Sequence, residues 1–271
     1  MFPTKSETET KDETRKGTKT TDWISVSLVL GVVLLVYYLV PILTLLVSQS
    51  PTETVVRMNE GYVVTATVNS ILTASISTFI ATVLGLPLAY WLARTSFSGK
   101  DLITTAVILP LVLPPIVSGM LLLEVFGPEG IGGLLGFKFT RSFLGIVLAQ
   151  TFVASPFLVI TSKAAFESVD RHLEYASRSL GKDEWTTLKR ITLPLAKPGI
   201  VAGVTLTFAR AIGEFGATIM MAYYPRTMPV QIWVSYISTG LDSALPLAII
   251  LVVVAVGTLL ILNIAGSNAW R

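Results

Sequence analysis

FLGIVLAQTFVASPFLVIT, residues 143–161, runs for nineteen positions without a charged side chain. KAAFESVDRHLEYASRSLGKDEWTTLKRITLPLAKP, residues 163–198, then carries seven basic residues. As a helix, the first stretch is about 28 Å long, close to the roughly 30 Å hydrocarbon core of a bilayer. An uncharged stretch of membrane length joined to a long polar connection sets the fold class: an all-α polytopic membrane protein.

Working outward, five more stretches have the same character: 23–47, 62–92, 102–126, 199–223 and 244–264. With 143–161 they make six transmembrane helices. The stretch at 62–92 is long enough to tilt or to include an interfacial turn. The one at 102–126 carries Pro110, Pro114 and Pro115, which break or kink a helix. Backbone freed that way is tolerated only against protein or a water-filled cavity, so this span is expected to face the bundle.

Composition agrees. Of 271 residues, 52 % are hydrophobic and 14 % charged, and the mean hydropathy is +0.70. An ordinary soluble domain is about 25 % charged. Cysteine is absent and His172 is the single histidine, which excludes disulfides, thiolate metal sites and histidine clusters. Gly99-Lys100 is followed by Asp101 and lacks the upstream glycine of a phosphate-binding loop, and no His-Glu-x-x-His motif occurs. No catalytic, cofactor-binding or metal-binding residue is therefore expected. A membrane enzyme would need clustered polar groups near one interface, and a secondary transporter more intramembrane carboxylates.

Charge sets the orientation. Six spans put both termini on one side. That side collects the Thr-, Lys- and Glu-rich tail 1–22, Arg94, Lys100, the segment 163–198 and the C-terminal 265–271, with fifteen basic residues. The opposite side has four: Arg57, Lys138, Arg141 and Arg226. The positive-inside rule makes the first side cytoplasmic, in the plasma membrane. The tail reads as solvated and disordered rather than as a signal peptide.

Within 163–198, Asp170 is a plausible N-cap, and Leu173, Ala176 and Leu180 recur on one helical face. Gly181 suits the left-handed turn that ends such a helix. A second short helix is expected from Asp183, with Trp185, Leu188 and Ile191 on one side and Pro194 and Pro198 stopping it. The loop is either a helix lying on the membrane surface or a docking peg for a soluble partner.

Glu174-Tyr-Ala-Ser-Arg-Ser-Leu-Gly181 followed by Ile191-Thr-Leu-Pro194 resembles the EAA signature, E-A-A-x3-G-x9-I-x-L-P, of ABC importer permeases. Aligned on Gly181, the family's glutamate falls on Tyr175 and its alanines on Ala176 and Ser177; Glu174 sits one residue earlier. The spacing to Ile191 and the Leu193-Pro194 ending match. Arg94-Thr-Ser-Phe-Ser-Gly-Lys100, Leu109-Pro-Leu-Val-Leu-Pro-Pro115 and Ala209-Arg-Ala-Ile-Gly-Glu-Phe-Gly-Ala217 resemble the molybdate and tungstate branch. Sulfate permeases are the nearest relatives and supply the alternative substrate.

The resemblance implies a type I importer permease that works as a homodimer. It implies two cytoplasmic ATPase subunits docking on the loop, an oxyanion-binding protein outside, and no nucleic acid. Residues 23–264 would form the permease domain and 163–198 its coupling loop. Glu174, Tyr175, Ala176, Ser177, Gly181, Ile191, Leu193 and Pro194 would couple it to the ATPase. Arg210 and Glu214 lie within 199–223, four residues apart, close enough to pair. A lone charge at mid-membrane costs about 2.5–3.5 kcal/mol on insertion scales, so neither is expected to face lipid. They are either a pathway element or a mutually neutralised structural pair.

Overall fold

The computed structural model describes the backbone of residues 5–268 and the side chains of 23–261. The tail expected over 1–22 and the C-terminus expected over 265–271 lie outside the residues whose side chains are described. All regular structure among the described residues is helical. In chain order the helices are α1 (Lys5–Ser48), α2 (Pro51–Met58), α3 (Gly61–Arg94), α4 (Lys100–Val112), α5 (Pro115–Phe126), α6 (Ile131–Leu134) and α7 (Phe143–Ser168). Then come α8 (Arg171–Ser179), α9 (Glu184–Thr187), α10 (Leu193–Ile212), α11 (Gly216–Met221), α12 (Met228–Thr239) and α13 (Leu241–Asn268).

Two units are separable, Met1–Pro51 and Thr52–Arg271. In the first, Trp23–Ser48 is a 26-residue stretch of α1, apolar around its whole circumference, with its large side chains exposed. That composition suits a membrane span.

The second unit is built on α7, against which α3 and α10 pack. The inward face of α3 is a run of small residues: Ala66, Ser70, Ala74, Ser77, Ala81, Gly85 and Ala89 are all buried. Small side chains let membrane helices approach closely, where dispersion contacts replace the hydrophobic drive that lipid removes. Polar groups on these faces find partners inside. Ser77 Oγ donates to Val147 O at 3.1 Å, and Ser70 Oγ accepts the Met228 N–H at 2.7 Å. Gly203 of α10 faces α7 so closely that a Cβ there would collide with Thr161 Oγ1.

Among the described residues six stretches are long and apolar enough to cross a bilayer: Trp23–Ser48, Gly61–Arg94, Pro115–Leu134, Phe143–Ser168, Glu184–Ile212 and Leu241–Ile261. The expected number holds, but two spans are not continuous rods. In place of one helix over 102–126, α4 ends at Val112 and α5 starts at Pro115. Leu113 and Pro114 each precede a proline and are extended, with ψ of 136° and 134°. Proline clashes with a helical residue before it, so two in succession stop the helix. Pro110, by contrast, is accommodated inside α4.

The expected span 199–223 is also interrupted. α10 ends at Ile212, residues 213–215 are non-helical, and α11 is a short separate helix. Nor do Pro194 and Pro198 stop the loop helix. Leu188–Thr192 forms a π-turn in which the Leu193 N–H reaches Leu188 O, and the chain continues directly into α10. The wider turn accommodates Pro194 near the helix start, where its missing N–H costs little. α12, which the sequence reading did not anticipate, packs on α13 and α3.

Candidate coupling site and intramembrane ion pair

α8 starts as its sequence dictates. Asp170 is the N-cap, its Oδ1 accepting the His172 N–H at 2.9 Å. It stops at Gly181, whose φ of +80° is open to glycine and strained for other residues. Lys182 N and Gly181 N close the turn onto Ser177 O and Arg178 O.

Between these ends the helix buries two polar residues and leaves its apolar ones uncovered. Glu174 and Ser177 point inward, while Arg171, His172, Arg178 and Ser179 are exposed. Glu174 is 4 % exposed and Ser177 is buried, the latter sharing a 2.9 Å hydrogen bond with the buried Thr187 hydroxyl of α9. Its apolar residues point out: Leu173, Tyr175, Ala176 and Leu180 are exposed, as is Trp185 on α9. Leu180 is 81 % exposed and Trp185 67 %. Ile191 and Leu193 are half-buried in and after the π-turn, and Pro194 is exposed.

Glu174 organises the inward side. Its Oε1 lies 2.6 Å from Arg94 Nη2, also accepts Arg94 Nε at 3.1 Å, and takes the Thr192 hydroxyl at 2.7 Å. Arg94 is the last residue of α3, where a cation also complements the carbonyl end of the helix. Its Nη2 further reaches Val169 O, and Arg171 Nη2 donates to Ala93 O at 3.1 Å. One carboxylate therefore ties the loop helix to the end of α3 and to the π-turn that opens α10. Removing one partner of such a buried pair costs about 3–5 kcal/mol, because the other charge stays behind.

The loop residues named from sequence thus divide. Glu174 and Ser177 anchor the helix, Tyr175 and Ala176 belong to its outer face, and Gly181 makes the bend. Ile191, Leu193 and Pro194 belong to the junction with α10. Sequence reading missed Arg94, Thr187 and Thr192 as partners. The one available signal was an arginine closing a long apolar stretch, which reads equally well as a topology charge.

Arg210 and Glu214 do meet, but not on a continuous helix. Glu214 lies beyond the end of α10, in the break, and Arg210 Nη1 stands 2.5 Å from its Oε2. The other oxygen, Oε1, accepts the Ala217 N–H at 2.7 Å and so caps the chain entering α11. Glu214 is 1 % exposed while the Arg210 side chain is 28 % exposed. The pair is separate from the loop 163–198: sixteen residues of helix, about 24 Å, part Arg210 from Pro194.

The break is deep in the bundle. Ala211 and Ile212 pack with Ala154 at the middle of α7 and with Ala74 of α3. The α4–α5 break meets it there. A Cβ at Gly216 would stand 2.8 Å from Pro115 Cβ, and one at Gly119 would stand 2.8 Å from Ala217 Cα. Gly216 is thus a close-packing residue. Gly213 is not; it is exposed, and its nearest neighbour is its own helix's Ala209 O. Phe215 turns onto Trp233, ring centroids 5.6 Å apart, and lines an apolar groove of about 280 Å³ with Tyr236, Leu241 and Ala244.

Known proteins share this architecture. One solved structure, a bacterial ABC transporter involved in the import of alginate, superposes with a TM-score of 0.70. The likeness covers 93 % of this chain and 98 % of that one at 18 % identity, and so speaks for the fold. The inward-facing MetNI methionine ABC transporter matches with a TM-score of 0.60 over 76 % of this chain and 94 % of that one. In sequence, the chain is 59 % identical over 249 residues to a probable molybdenum ABC transporter permease protein of Haloferax volcanii, covering 92 % of this chain and 93 % of that protein. It is 38 % identical over 236 residues to a molybdate/tungstate transport system permease protein of Thermococcus kodakarensis, covering 86 % and 92 %. Residues 81–267, from the second half of α3 almost to the C-terminus, match the family described as binding-protein-dependent transport system inner membrane component. With six membrane-length stretches among the described residues and these relatives, the chain belongs to the binding-protein-dependent transport system inner membrane components, the permeases of ABC importers.

Proposed function

We propose that the chain is the permease subunit of an importer for molybdate or tungstate, and that its loop 163–198 couples it to a cytoplasmic ATPase. The substrate class rests on the relatives' names. The observation that carries the coupling role is the apolar set on α8 and α9 that the chain leaves uncovered while Glu174 is tied inward. A helix resting on its own core would turn Leu173 and Leu180 inward and Glu174 outward. This one presents Leu173, Tyr175, Ala176, Leu180 and Trp185 outward and ties its acid inward, which suits insertion into a groove on a soluble protein.

In this reading two copies of the chain, related by a two-fold axis, enclose the pathway. The loop and both termini lie in the cytoplasm, in keeping with the fifteen-to-four asymmetry of basic residues. Two ATPase subunits bind the two loops, and an oxyanion-loaded binding protein docks outside. When the ATPases close, each loop helix moves, and the Arg94–Glu174–Thr192 linkage passes that motion to α3 and α10 together. The chain has no phosphate cradle and supplies no hydrolysis itself.

The test is reconstitution in liposomes of this chain, its ATPase and the binding protein. The chain alone is expected to hydrolyse no ATP. The assembly is expected to hydrolyse ATP faster when molybdate-loaded binding protein is present. Turnover by the isolated chain, or indifference of the assembly to the loaded binding protein, would overturn the reading.

A further inference from the structure

The Arg210 face of the mid-membrane break is neither finished for lipid nor closed by protein. Residues 213–215 are non-helical, Gly213 is exposed, and Arg210 is 28 % exposed, all at the level where α10 packs on the middle of α7. Lipid leaves an interrupted backbone and a guanidinium unsatisfied, so irregular chain at this depth must line water or meet protein. Along α10 the next basic residue is Lys197, thirteen positions and about 20 Å away.

Arg210 is only partly committed. Its Nη1 is held by Glu214 Oε2, and among the described residues no partner is seen for Nε or Nη2. A guanidinium offers planar pairs of N–H donors that match two oxygens of an oxyanion. Glu214 cannot swing away to release the whole group. It is 1 % exposed, and its second oxygen is fixed by the Ala217 N–H. The result is a donor fork at the level of the middle of α7, with a buried carboxylate at one of its nitrogens.

We propose that Arg210 is a transit contact for the transported tetrahedral oxyanion, and that Glu214 holds it in place and keeps its grip weak. This rests on the importer reading above. A pathway must bind its ion well enough to admit it and loosely enough to let it leave. An unpaired arginine would hold a dianion too firmly, and no cation would leave it facing an apolar barrier. The buried carboxylate sets the balance between them. It also fixes the guanidinium at the junction of α10 and α11, where the break makes the pathway wall irregular.

The experiment is uptake of labelled molybdate by the complete reconstituted transporter, measured beside its ATP hydrolysis, with the ratio of the two as the readout. Arg210→Gln combined with Glu214→Gln removes both charges and preserves the neutral hydrogen-bonding shapes. That double variant is expected to lower the ratio at least tenfold, whereas a merely structural pair would leave it at the parental value, which overturns the proposal. Arg210→Lys keeps the charge without the planar fork and is expected to lower the ratio about threefold to tenfold. Should the double variant fail to assemble, a parental ratio in Arg210→Lys overturns the proposal by itself. The parent distinguishes the two readings. Failure of loaded binding protein to stimulate its hydrolysis removes the importer reading, while a normal parent with unaffected variants removes only the role of Arg210.

Discussion

Glu174 shows how much one side chain can organise. At the end of an 80-residue separation it finds Arg94, and at 18 residues it finds Thr192, so that a single oxygen joins three elements. Glu174→Ala should cost the permease about 3–5 kcal/mol, since it strands a guanidinium that is nearly buried. Arg94→Met combined with Glu174→Met should cost less than Glu174→Ala, because no charge is left alone. Thermal unfolding of the two in detergent checks the order, and a greater loss for the double variant would mean that the pair is not coupled. Gly181 acts by backbone alone. A Cβ there meets nothing within 4 Å, so the penalty for Gly181→Val is conformational, about 1–3 kcal/mol from its φ of +80°. Membrane insertion should survive that substitution; ATPase co-purification should fall.

At the scale of elements, α8 and α10 are governed by different contacts. α8 keeps an apolar face free, so a charge there should spare folding and damage assembly. Ala176→Asp is expected to leave the permease's melting temperature within a few degrees of the parent while co-purification with the ATPase falls at least tenfold. Each factor of ten corresponds to about 1.4 kcal/mol, a modest cost for burying an unpaired carboxylate. Normal co-purification would show that this face does not dock. α10 instead depends on close approach to α7. Gly203→Leu forces bulk against Thr161 and Leu158, whereas Ala202→Leu, one position along, adds it to an exposed face. Folded yield in detergent should collapse for Gly203→Leu and hold for Ala202→Leu. Equal yields would show that the tight contact is not required. The Gly203 face could not be singled out from sequence, because α10 is apolar on most of its circumference and periodicity does not distinguish the face toward α7 from the face toward lipid.

Across the whole molecule, topology is the first quantity to measure. Single cysteines replacing Ser179 on the loop and Thr239 at the end of α12 both stand on exposed positions of a cysteine-free chain. An impermeant thiol reagent added to intact cells should label the position at Thr239 and spare that at Ser179; the reverse pattern would invert the orientation. The sequence by itself determined the properties that depend on a short window. The number of membrane-length stretches follows from composition and length, since transfer into lipid is a sum over consecutive residues. The Asp170 cap and the Gly181 bend follow from local backbone chemistry, and a Pro-Pro pair interrupts a helix wherever it lies. Only the tertiary structure decided what meets what. It brought the 113–114 and 213–215 breaks together, and turned Glu174 inward while leaving Leu180 outside. Each of those outcomes balances backbone or side-chain groups against partners distant in the chain, and no window of sequence contains both sides of that balance.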